Sequence, residues 1–139
     1  MGFDHIDTRV ASIAQAEPFY DRLMPLLGFT RKKPSFVDDA GDWHAVDAND
    51  PYNTIEYYAP GTDGQASFFI GFIERAGTPQ TWTRIAFRVG DAKDPEWLRI
   101  LREIGAKNIE PSEDMQAYPA IFFEDPCGTK LELVSRKPS

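Results

Sequence analysis

The stretch FDHIDTRV at residues 3–10 returns in altered form as TRIAFRV at 83–89, and the fold follows from that repetition. Each copy precedes an amphipathic segment that ends at a glycine, Gly28 in the first and Gly105 in the second. The correspondence reaches the far ends of both halves, where FFIGFIE at 68–74 answers KLELVSR at 130–136. A duplicated unit of strand, helix and further strands builds a pseudo-symmetric sheet with a concave face. Residues at matching positions converge on that face, so candidate functional groups are sought there.

Within the first copy, Ile6, Thr8 and Val10 alternate with His5, Asp7 and Arg9, the period of a half-buried strand. From Ser12 the period changes to that of a helix, with Ile13, Ala16, Tyr20, Leu23, Met24 and Leu27 on one face and Ser12 and Gln15 spaced as a capping box. Pro18 and Pro25 remove backbone donors, so this helix is expected to bend or end near Pro25 and to close at Gly28. Turn-forming residues at 38–42, 49–53 and 60–64 leave only short strands at 43–46 and 54–58. A clear strand follows at 66–73, and 74–80, with Gly77 and Pro79, reads as the linker between modules.

The second copy predicts a strand at 83–89 and a helix begun by Asp94 and Pro95, with Trp97, Leu98, Leu101 and Ile104 on one face. Two strands, 121–123 and 130–134, then flank a turn made by Asp125, Pro126, Cys127 and Gly128. The expectation is one domain over 1–139, with module 1 at about 1–76 and module 2 at about 81–136.

The 139 residues suit a single domain, and 42% hydrophobic with 13% aromatic residues suffices for a packed core. A net charge of −7 argues against nucleic acid, which demands clustered Lys and Arg. One cysteine, Cys127, forms no internal disulfide and has no neighbouring histidine or second cysteine, so a nucleophilic role is not expected. No apolar run spans a membrane and no leader pattern opens the chain, so a cytoplasmic location is the expectation. P-loop, dinucleotide-binding, nucleophile-elbow and zinc-finger patterns are missing from the sequence.

The residues DHI at 4–6, Phe19 and Tyr20 with LLGF at 26–29, and EDPCGTKLELV at 124–134 resemble the vicinal-oxygen-chelate superfamily of glyoxalases, bleomycin-resistance proteins and extradiol dioxygenases. The resemblance covers nearly the whole chain and is weakest at 34–65. It implies an α+β fold of two tandem βαβββ modules, a mixed, cup-shaped open sheet with helices on the outside. Many members hold a divalent ion in that cup with side chains from four strands, and by alignment these positions fall at His5, Ile70, Arg84 and Glu132. Only His5 and Glu132 are metal ligands by type. A catalytic divalent ion takes about three protein donors, and a permanently protonated guanidinium at Arg84 opposes a cation.

Strand parity assigns Phe68, Ile70, Phe72, Lys130 and Glu132 to the cup and Leu131 and Leu133 to the core. Arg84 then either pairs with Glu132 in place of the metal, with His5 nearby, or binds an anionic group of the ligand. His5 and Glu132 are the catalytic candidates if the chain is an enzyme. His44 and Glu56 are possible substitute donors for a metal, each expected to face solvent instead.

The reading is a small-molecule-binding protein, for a drug or metabolite, with ligand-binding residues His5, Phe68, Ile70, Phe72, Arg84 and Glu132 and without a resident metal. Its alternative is a lyase, isomerase or dioxygenase dependent on Zn, Ni, Mn or Fe, acting on a small oxygenated substrate. A third is an interaction scaffold. The resemblance further implies a homodimer; no nucleic-acid or membrane partner is expected.

Overall fold

A computed structural model describes residues 3–62, 64–79 and 82–138. Gln80, the last residue of the expected linker, lies outside them. The chain divides into two compact units, Met1–Thr78 and Pro79–Ser139.

In the first unit β1 (His5–Val10) is followed by α1 (Ile13–Leu26), then β2 (Arg31–Val37), β3 (Trp43–Ala45), β4 (Thr54–Ala59) and β5 (Phe68–Glu74). These form a five-stranded sheet in the order β1-β5-β4-β2-β3, with β1 parallel to β5 and the other pairs antiparallel. Helix α1 starts where expected: Ser12 Oγ accepts the Gln15 N–H, while the carboxylate of Glu74, at the end of β5, takes the Ile13 N–H at 2.9 Å. A negative group there also favours the positive end of the helix. The helix runs through Pro18 and stops one residue after Pro25.

The core of this unit lies between α1 and the sheet. Tyr20 and Phe72 stack with ring centroids 3.8 Å apart, and both are fully buried along with Phe19, Leu23 and Met24. Each such side chain contributes about 1.5–3 kcal/mol by leaving water. A polar seam completes the packing, because Glu17 and Asp21 on α1 both hold Lys32 of β2, and Asp21 also accepts from the Tyr57 hydroxyl of β4.

The second unit repeats the plan more economically, as β6 (Arg84–Arg88), α2 (Pro95–Glu103), β7 (Lys107–Pro111), β8 (Ala120–Glu124) and β9 (Lys130–Val134). Its four strands run in the order β6-β9-β8-β7, with β6 parallel to β9. Leu101 of α2 is fully buried, as are Leu131 and Leu133 of β9. Asp94 caps α2 by accepting the Glu96 N–H, with Pro95 at the first helical position.

Both helices end alike. The N–H of Phe29 returns to the Met24 carbonyl and that of Gly28 to Pro25; in the second unit Ala106 returns to Leu101 and Gly105 to Arg102. Gly28 and Gly105 stand at φ 93° and 89°, the left-handed conformation this double closure needs.

Two strands escape the sequence pattern. β2 begins Arg-Lys-Lys-Pro, a poor strand composition, and it is held by tertiary partners: Arg31 caps the Tyr58 ring and Lys32 the acids of α1. β7 is interrupted by a register shift between Lys107 and Glu110, where Asn108 takes φ 51°.

Candidate functional site

Strand parity in β1 holds as expected, with Val10 buried and His5, Asp7 and Arg9 on the opposite face. That face, turned away from α1, continues across the sheet through the register. His5 lies beside Phe69 and Phe69 beside Tyr58; Asp7 lies beside Gly71 and Gly71 beside Glu56. Two adjacent rows therefore present one histidine, two carboxylates and two aromatic rings.

The rings form a platform. His5 stacks flat on Phe69 at 4.6 Å, Tyr58 leans on the same ring at 4.8 Å, and the Arg31 guanidinium covers Tyr58 at 4.1 Å. The carboxylates sit beside it, and Gly71 permits this: a Cβ there would fall 2.5 Å from Asp7 Oδ1. Asp7 thus lies across the sheet over a residue without a side chain.

Glu56 is only 7% exposed and accepts a hydrogen bond from the Tyr58 hydroxyl at 3.2 Å. Burial raises its carboxyl above its ordinary value, against the lowering effect of the Tyr58 hydrogen bond and of Lys33. His5 Nδ1 stands 2.6 Å from Asp4 Oδ1, and Nε2 lies 3.9 Å from Asp7 Oδ2. The Asp4 hydrogen bond, aided by the charge of Asp7, raises the imidazole above its ordinary value.

In the second unit Arg84, Lys130, Glu132 and Phe122 share one face, as the register pairs Arg84 with Lys130 and places Ala86 and Phe122 on either side of Glu132. The expected Arg84–Glu132 ion pair is not formed. Glu132, 6% exposed, accepts instead from the Tyr118 hydroxyl at 2.7 Å, and the Arg84 guanidinium lies 4.7 Å over the Phe122 ring. The reason is the register: Arg84 is one row from Glu132 and remains solvated.

The assignment of Phe68, Ile70 and Phe72 to the functional face is corrected by one residue. Ile70 and Phe72 are buried on the α1 side, Phe72 against Tyr20, and Phe68 meets Phe29 edge-on at 5.6 Å. Their neighbours Phe69 and Gly71 occupy the face with His5. The run FFIGF is apolar at both parities, so its composition does not choose a face. Gly71 was the usable signal, since a glycine inside a strand marks a close approach.

His44 is on the short strand β3, exposed, with Nε2 2.7 Å from Asp38 Oδ2. Glu56, expected to face solvent, is instead buried beside Asp7. Cys127 sits in the β8–β9 turn, its N–H donating to the Asp125 carboxylate.

The donor chemistry does not match a divalent ion of the family type. Ile70 has no donor and lies on the wrong face, Arg84 is cationic, and Glu132 is engaged by Tyr118. Among the described residues no three His, Cys, Asp or Glu side chains converge closely enough to hold a metal.

A family model of the Glyoxalase/Bleomycin resistance protein/Dioxygenase superfamily matches residues 2–133. Among solved structures, the genomically encoded fosfomycin resistance protein FosX from Listeria monocytogenes aligns over 100% of this chain and 94% of its own, at 15% identity and a TM-score of 0.64. A mutant of that protein, complexed with Mn(II) and 1S,2S-dihydroxypropylphosphonic acid, aligns over 98% and 93% at 17% identity and 0.59. FosX from Mesorhizobium loti aligns over 98% and 92% at 14% identity and 0.57. At these identities the likeness is one of fold.

Proposed function

The chain belongs to the Glyoxalase/Bleomycin resistance protein/Dioxygenase superfamily, and on that premise we propose that it binds a small organic cation with a flat unsaturated body. The reading rests on one observation: Glu56 is a buried carboxylate beside Asp7, and among the described residues neither carboxylate has a Lys or Arg ion-pair partner. Glu56 accepts from the Tyr58 hydroxyl and feels the charge of Lys33 across β2, and a cation at ion-pair distance would compensate the buried charge further. The stacked His5 and Phe69 rings beside it suit a flat ligand.

The test is a fluorescence titration of the whole chain with proflavine, a planar aromatic cation, against benzoate as the anionic control. Saturable binding of the cation alone is expected, weakened about tenfold, or about 1.4 kcal/mol, in both Asp7→Asn and Glu56→Gln. Binding that is missing, or indifferent to both substitutions, overturns the proposal.

The second reading is a divalent-metal-dependent lyase, isomerase or dioxygenase. It draws support from the Mn(II) in the Listeria FosX structure, and it requires donors beyond those that converge among the described residues.

A further inference from the structure

A groove of about 560 Å³ in the second unit, beside the ends of β6 and β9, is lined among others by Asp91, Lys93, Ser135, Arg136 and Lys137. An adjoining hollow shares Arg136 and Lys137 and adds Arg88. We propose that this groove is a binding site for a small phosphate-ester or pyrophosphate-type anion, distinct from the face that carries Asp7 and Glu56.

Charge is the first argument. The chain as a whole has a net charge of −7, yet here four cationic side chains face a single acid, Asp91. Among the described residues none of Arg88, Lys93, Arg136 and Lys137 has a carboxylate within ion-pair distance. Like charges gathered without counter-charge repel one another, and a multivalent anion removes that cost.

Preorganisation is the second. The Arg136 guanidinium lies 4.8 Å over the Tyr118 ring and donates to its hydroxyl at 3.4 Å, while that hydroxyl donates to the buried Glu132. The neighbouring wall is tied down as well, because Ser135 Oγ accepts the Ala92 N–H at 3.0 Å. A guanidinium held in one plane presents its paired N–H groups to a tetrahedral oxyanion with less ordering to lose on binding.

Size and overall charge favour a small ligand over nucleic acid. The groove falls within the range of small-molecule pockets, and an acidic chain repels an extended phosphate backbone.

Calorimetric titration of the full chain with pyrophosphate, inorganic phosphate and citrate tests the assignment. Saturable pyrophosphate binding, stronger than that of inorganic phosphate and weakened by salt, is expected. The double variant Arg88→Ala/Lys137→Ala changes only exposed side chains, so its fold is expected to persist while affinity falls about tenfold or more. Arg99→Ala, on α2 and paired with Glu96 and Glu103, is expected to bind as the parent does. No saturable heat with pyrophosphate, or an unchanged affinity in the double variant, overturns the site. Citrate binding as tightly as pyrophosphate overturns the phosphate assignment, and tighter binding of a single-stranded oligonucleotide overturns the small-ligand one.

Discussion

Glu56 shows how burial converts an ordinary strand residue into a chemical demand. Its carboxyl is raised chiefly by desolvation, so its proton is held more tightly in the folded chain than in the unfolded one. The stability linked to it is present below the unfolded carboxylate pKa and is lost as pH rises through the folded value. Glu56→Gln keeps an oxygen for the Tyr58 hydroxyl but has no charge to desolvate. The variant is therefore expected to be more stable than the parent at about pH 7, with the difference vanishing as the solution is acidified below the carboxylate range. Denaturant unfolding at a series of pH values measures this; a variant less stable at neutral pH would contradict the burial argument. Combined with the weaker cation binding expected of the same substitution, it would mark Glu56 as a site where stability is given up for recognition. His5 and Asp7 were legible as sharing a face because β1 alternates cleanly. Glu56 was not, since a charged residue in a strand is ordinarily solvated and only its neighbours across β5 and β2 reveal its burial.

At the scale of elements, the two helices were legible from end signals. Ser12, Asp94 and Pro95 start them, and Gly28 and Gly105 close them with the same pair of returning hydrogen bonds. Because both glycines are in left-handed conformation, Gly28→Ala and Gly105→Ala are each expected to cost about 1–2 kcal/mol. An added Cβ meets nothing within 4 Å at either position, so the loss would be conformational rather than steric crowding. Equilibrium unfolding of the two variants checks the pair together. A negligible loss in both would mean that the closures contribute little. Strands were less legible than helices: β2 is rich in lysine and arginine whose partners lie on other elements, and β7 carries a bulge that breaks its alternation.

For the whole molecule, net charge is a poor guide to local recognition. A chain at −7 holds both an acidic, aromatic sheet face in one unit and a basic groove in the other. Metal content is the measurement that belongs at this scale. Protein purified without chelator or affinity metal, then offered Mn, Fe, Ni, Co and Zn in turn, is expected to retain less than one ion per chain, because too few donors converge among the described residues. Stoichiometric metal after dialysis would replace the binding reading with the metal-dependent one. No described helix is long and apolar enough to cross a membrane.

The sequence by itself determined the repeat, the helix boundaries, the family and the faces of β1 and β9, because these rest on local periodicity, end signals and motif order. Only the tertiary structure decided the face of β5, the burial of Glu56 beside Asp7 and the choice of Tyr118 over Arg84 as partner of Glu132. Those depend on register between strands distant in sequence, where a shift of one residue exchanges the two faces of a sheet.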